Sequence, residues 1–118
     1  MERKVCTYCG MEGHRASQCP RRPRERDIEK HLVKCVKALG GEVRKVQWVG
    51  RRGAPDRLVM LPHTGPGRAR VNNTIWVELK APGEKASTQQ LREHEAMRRL
   101  GQHVAVVDST DGVKALLR

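Results

Sequence analysis

A chain of 118 residues with 37% apolar content, below the globular average of roughly 45–50%, has room for one compact domain with a modest core and at most a small appendage. A formal net charge of +11 and a pI near 10.3 point to a polyanionic partner, either nucleic acid or an acidic membrane surface. No apolar run approaches the roughly 20 residues of a spanning helix, and the charged N-terminus is followed by no apolar segment, which argues against a membrane span and a secretory leader and for a cytoplasmic protein.

In chain order, residues 1–20 carry three of the four cysteines and little periodic apolar character. Residues 21–26 read as a basic linker, since Pro20 and Pro23 oppose a helix there. Residues 27–118 carry the patterns of a folded domain. Ile28, Leu32, Cys35, Val36 and Leu39 recur at i, i+4, i+7, i+8 and i+11, which predicts a helix stopped by Gly40-Gly41, with Cys35 as a small core residue. Val43, Val46, Trp48 and Val49 predict a strand, and Gly50 to Pro55 a loop. Arg57 to Leu61 is a second strand, His63 to Asn73 a turn-rich connection, and Thr74 to Leu79 a third strand ended by Ala81-Pro82-Gly83.

Ser87 is the expected N-cap of a helix running to Leu100 and stopped by Gly101, with Leu91, His94, Met97 and Leu100 as its face. His103 to Val107 is a fourth strand, and Thr110 to Leu117 a last helix with Asp111 in its first turn. The expected order is αβββαβα, an α/β domain without internal repeats. Trp48 and Trp76 fit two readings, core packing and a position near nucleic acid.

The N-terminal segment reads Cys6-x2-Cys9-x4-His14-x4-Cys19, three thiolates and an imidazole able to surround Zn²⁺ as a tetrahedron. So short a segment buries too little surface to fold alone, so metal binding would supply its stability. With Gly10, Gly13 and the following Pro20, it resembles the zinc knuckle of retroviral nucleocapsid and cellular single-strand-binding proteins. That resemblance implies recognition of unpaired bases by stacking on exposed side chains. Here Thr7 stands at the usual aromatic position with Tyr8 one place late, and Arg15 replaces the usual apolar residue. Backbone attraction would then rest on Arg15, Arg21, Arg22, Arg24 and Arg26.

In the domain, Asp56 opens one strand, and Glu78 and Lys80 close the next in the pattern Asp56-x21-Glu78-x-Lys80. Alternation along a strand sends Glu78 and Lys80 to one side, and a hairpin between the strands would bring Asp56 to the same side. Two carboxylates and the carbonyl of Leu79 suit a hard cation such as Mg²⁺ or Mn²⁺, which polarises a phosphate and activates water. Lys80 would orient that water and offset developing charge. Arg51 and Arg52, in the preceding loop, are candidate phosphate contacts.

The acidic-basic set resembles the PD-(D/E)xK nuclease motif. Gly53-Ala54-Pro55-Asp56-Arg57, Val77-Glu78-Leu79-Lys80-Ala81-Pro82-Gly83, Ser87-x-x-Gln90 and Leu100-Gly101-x-x-Val104 together resemble the VRR-NUC family over roughly residues 25–117. The resemblance implies a restriction-endonuclease-like core, a mixed sheet flanked by helices, and metal-dependent hydrolysis of DNA, with Holliday junctions and other branched structures among the substrates of small phage members. It also implies a glutamate on the first helix, which by spacing to Gly40 is Glu29, with Glu25 as the alternative, and a glutamine on the second helix, Gln90, that backs the lysine. The expected partner is branched or partly single-stranded DNA, in a bacterial cell or a phage-infected host, and symmetric cutting of a junction implies a homodimer. The competing readings are a non-catalytic nucleic-acid adaptor and a ribonuclease.

Overall fold

The computed structural model describes residues 12, 13, 23–62, 64, 65, 68, 69 and 73–118. The expected zinc ligands Cys6, Cys9, His14 and Cys19, together with Tyr8, Arg15, Arg21 and Arg22, lie outside the described residues. The elements are α1 (Glu25–Ala38), β1 (Glu42–Lys45), β2 (Arg57–Met60), β3 (Thr64–Gly65), β4 (Arg68–Ala69), β5 (Thr74–Leu79), α2 (Thr88–Arg99), β6 (Val104–Val107) and α3 (Thr110–Leu116). The expected αβββαβα order is present, with the short β3–β4 hairpin added inside the turn-rich connection.

α1 begins two residues inside the segment read as a linker. Its start is set by Asp27, whose carboxylate accepts the Arg24 N–H at 2.8 Å while the Asp27 N–H returns to the Arg24 carbonyl. A side chain that satisfies a terminal donor in this way lets the helix open directly after Pro23. At the other end Gly40 takes a φ of +83°, and the Gly41 N–H donates to the Val36 carbonyl at 2.9 Å. A Cβ on Gly41 would stand 2.3 Å from the Met60 carbonyl oxygen, so this stop also seats the helix end against β2.

Four strands form one mixed sheet in the order β1-β2-β5-β6. The first three are antiparallel neighbours, and β6 runs parallel to β5 after the α2 crossover. β1 is shorter than expected. The Val46 N–H still reaches the Asp56 carbonyl at 2.9 Å, but the chain then leaves the sheet, and Val49 is 96% exposed rather than a strand residue.

Alternation along the strands divides the molecule into two layers. Val59, Ile75, Val77, Leu79 and Val107 face α1 and α3, where Ile28, Leu32, Val36, Val113 and Leu117 complete the apolar core. Cys35 packs partly buried at its edge, as expected, with its thiol 3.4 Å from the His31 ring. Leu58, Trp76, Glu78 and Val104 lie on the opposite face, under α2. The expected apolar face of α2 holds only in its middle. His94 and Met97 are buried, whereas Leu91 and Leu100 are exposed. A three-residue step falls about 60° short of a full turn, so four residues spaced by three drift across half the helix circumference and only the central pair can face the sheet.

Candidate active site

Asp56 and Glu78 meet through strand register. Arg57 stands opposite Val77 and Leu58 opposite Trp76, so continuing the ladder by one step sets Asp56 opposite Glu78 on the α2 face. Asp56 lies just outside β2, with its side chain 54% exposed. Glu78, near the end of β5, is only 6% exposed. One residue past the same strand, the Lys80 N–H donates to the Val107 carbonyl at 2.9 Å, which holds the chain beside β6 and keeps Lys80 on the side of Glu78.

Gln90 reaches this pair from α2. The Ser87 hydroxyl accepts the Gln90 N–H at 3.1 Å, and the Gln90 side-chain oxygen accepts the Ser87 N–H at 2.8 Å, a reciprocal capping box. With the amide oxygen held by the cap, the amide nitrogen is left to donate to Glu78 Oε1. A helix-start signal and the orientation of a site residue are therefore one feature, carried by Ser87-x-x-Gln90.

Burial pushes the Glu78 carboxyl above its ordinary range, and the negative charges of Asp56 and Glu25 add to that push. Lys80 and the Gln90 hydrogen bond work against it without cancelling it. Two like charges near one another, one of them desolvated, is a situation that a cation relieves.

The α1 acids divide between two neighbourhoods. Glu29 binds the Arg57 guanidinium, with Glu29 Oε2 at 3.1 Å from Nη2, and lies 3.8 Å from the Lys45 ammonium. These contacts, led by the Arg57 hydrogen bond, hold the Glu29 carboxyl below its ordinary range. Glu25, one helical turn earlier, is the α1 acid whose charge Glu78 feels. The sequence assigns Arg57 no site role, although it follows Asp56 directly and closes the Gly53–Arg57 motif. Its side chain is nearly buried, and it bridges Glu29 to Asp56, with Nη1 3.0 Å from Asp56 Oδ2. Adjacent strand residues point to opposite faces, so only the folded ladder reveals that this arginine reaches back around to its neighbour.

The loop between β1 and β2 is held against α2. Gly53 has a φ of +80°, and a Cβ there would stand 2.9 Å from the Gln89 carbonyl oxygen. Only glycine meets both the left-handed backbone and the close approach. Arg51 forms a paired contact with Glu93 at 2.8 and 3.0 Å, and the Trp48 indole N–H donates to the Pro55 carbonyl at 2.8 Å. Arg52 and Arg24 are exposed.

Among the described residues no three acidic, histidine or cysteine side chains converge on one point. The available donor set is two carboxylates, Asp56 and Glu78, with the Leu79 carbonyl between Glu78 and Lys80 in the chain. That set fits Mg²⁺ or Mn²⁺, since Mg²⁺ in particular keeps several waters and is bound through one or two carboxylates, and it does not fit a closed structural Zn²⁺ site.

Three likenesses to known proteins bear on this arrangement. Residues 4–21 match the family model of the zinc knuckle of CCHC type. Over 88 residues the chain is 50% identical to "Putative nuclease p44" of Acyrthosiphon pisum secondary endosymbiont phage 1, covering 75% of this chain and 86% of that protein. A solved structure described as a VRR_NUC domain superposes with a TM-score of 0.66 at 39% identity, covering 79% of this chain and 92% of that one. With that fold, that identity and that coverage, this chain belongs to the VRR-NUC family of nucleases.

Proposed function

We propose that the protein is a Mg²⁺- or Mn²⁺-dependent endonuclease acting on branched or partly single-stranded DNA. The observation that carries this reading is the pairing of Asp56 with a buried Glu78 across adjacent strands, with Gln90 locked onto Glu78 by its own helix cap. Asp56, Glu78 and the Leu79 carbonyl would hold the cation, which polarises the scissile phosphate and makes water a better nucleophile. Lys80, on the same side, orients the attacking water and offsets charge that develops on the phosphate. Gln90 keeps the Glu78 carboxylate in one orientation. Glu25 is favoured as the helix-borne acid by its electrostatic reach to Glu78, and Glu29 serves Asp56 indirectly through Arg57.

The division of labour along the chain follows from this. Residues 1–20 form a knuckle in which Cys6, Cys9, His14 and Cys19 hold Zn²⁺; its Tyr8 and Arg15, with Arg21, Arg22 and Arg24 of the following linker, contact the nucleic acid. Residues 21–26 form a basic linker and residues 27–118 the nuclease domain, with Arg51 and Arg52 at its loop. One such site cuts one strand, so symmetric cutting of a four-way junction calls for two copies.

The test is a panel of labelled four-way junction, flap, single-stranded DNA, blunt duplex and RNA, each with Mg²⁺ or Mn²⁺. Wild type is expected to cut the junction or the flap, and Asp56→Ala and Lys80→Ala to lose about 10²–10³ of that rate. A wild type that cuts none of them, or variants that cut as fast as wild type, would sink the assignment. Cys9→Ser is expected to weaken binding more than the chemical step.

A further inference from the structure

The α2 face holds a second feature that phosphodiester hydrolysis does not use. Trp48 and Trp76, the two tryptophans of the chain, stand with ring centroids 5.3 Å apart and planes tilted by 48°. Each is tethered by its polar edge. The Trp48 indole N–H donates to the Pro55 carbonyl at 2.8 Å, and that of Trp76 to the Gln102 side-chain oxygen at 3.1 Å. Both rings are half-buried and remain outside the main core.

They line an open groove of about 340 Å³, whose walls include Met97, Leu100 and the Arg51–Glu93 pair. Leu100 is 80% exposed there, an apolar residue with nothing over it among the described residues. Trp48 and Arg51 also line the neighbouring groove of about 590 Å³ that contains Asp56 and Lys45. The two grooves therefore run past one indole, with a carboxylate and an exposed lysine at one end and an apolar floor at the other.

We propose that the Trp48–Trp76 groove receives one unpaired nucleobase of the DNA strand whose phosphate is bound at Asp56; this deepens the nuclease reading and rests on it. The chemistry of the two ends matches the two parts of a nucleotide. Lys45 lies beside the acids, where the backbone phosphates and their cation would pass. In the other groove Arg51 is neutralised by Glu93, so the wall carries no net charge and its two indole faces suit a base rather than a phosphate. Because hydrogen bonds already hold both indoles, stacking would not have to order them first. A groove of this size lies at the lower end of the roughly 300–1,000 Å³ typical of small-ligand sites. A base inside a duplex cannot enter, so the groove would select strands with unpaired positions near the cut.

The chain supplies its own reporter, since all tryptophan emission comes from these two residues. The experiment titrates the full-length protein, without divalent metal other than its zinc, with oligodeoxythymidylate and with a blunt duplex of equal length, following tryptophan emission and, separately, the anisotropy of labelled DNA. Saturable quenching by the single strand, weak or absent for the duplex, is the expected result. Trp76→Phe should retain affinity for the single strand, and Trp76→Leu should lose about tenfold. Binding seen by anisotropy with unchanged emission overturns the proposal, as does equal quenching by the duplex. Emission that changes with protein concentration alone, and not with DNA, would assign the groove to a second copy of the chain and also overturn it. Asp56→Ala separates the two readings. It should lose cleavage and keep quenching, so absent quenching in an active enzyme rejects the base site alone, and quenching with no cleavage by wild type rejects the nuclease site alone.

Discussion

The two faces of the sheet are built to different standards. The face under α1 and α3 is an apolar core of eleven buried residues, five from the two helical segments and six from the strands and their ends. The face under α2 buries Met97 and Val104, but also a carboxylate, Glu78, and an imidazole, His94, and it leaves Leu100 and two half-buried tryptophans at its margin. Apolar burial supplies most of the driving force for folding, whereas burying unpaired polar groups opposes it. One face therefore holds the domain together, and the other spends part of that stability on placing charged and aromatic groups where a nucleic acid can reach them. α2 is joined to this face by the Gln90–Glu78 hydrogen bond and the close backbone approach of Gly53 at its start, more than through a continuous apolar stripe.

This contrast can be broken from either side. Leu32→Ala, in the middle of the α1 stripe, should lower the unfolding free energy by about 2–5 kcal/mol, read by urea denaturation, because it opens a cavity in a closely packed region. A loss no larger than that of an exposed α2 substitution such as Leu91→Ala would contradict the division between the faces. Gly53→Ala should cost at least about 1–2 kcal/mol, from its positive φ together with contact against the Gln89 backbone. It should also reduce cleavage by about a hundredfold, since the loop carries Asp56. Wild-type activity in that variant would show that the loop approach does not position the acid.

His94→Leu tests the cost of the polar face directly. The ring is fully buried, and among the described residues neither nitrogen has a partner. Replacing it by a similar apolar volume should raise stability by about 1–3 kcal/mol. Burial pushes its pKa down from the ordinary value of 6.5, Arg98 and Lys80 push the same way, and Glu93 opposes them. The folded state thus binds a proton less readily than the unfolded chain, so the stability is complete above pH 6.5 and falls as the pH drops below it. Wild type should show that acid-side loss and His94→Leu should lack it; identical pH profiles for the two would exclude His94 as its source. The smallest effect is expected at Ser87→Ala, about 1 kcal/mol from the lost cap. Its sharper readout is kinetic, because the freed Gln90 amide no longer has a fixed direction toward Glu78. Ser87→Asp, which keeps a cap acceptor, should restore both.

Much of this design is legible in the linear chain. The α1 stripe, its Gly40-Gly41 stop, the Ser87 cap and the same-side placement of Glu78 and Lys80 are all set by periodicities and steric preferences that act over a few residues. Gly53 and Gln90 stand out only through the motifs that resemble the VRR-NUC family, and that resemblance agrees with the family assignment that the fold and the relatives support. What the sequence could not determine is partner choice between distant segments. The partners of the α1 acids are one case: Arg57 bonds Glu29 from 28 positions away. Spacing to Gly40 points to Glu29, and spacing alone carries no sign of the ion pair that ties Glu29 to Arg57 across the helix–sheet boundary. The start of α1 inside the expected linker, the exposure of Leu91 and Leu100, and the meeting of Trp48 with Trp76 are of the same kind. Each depends on which side of an element another element covers, and that is decided only when strand register and helix packing are in place.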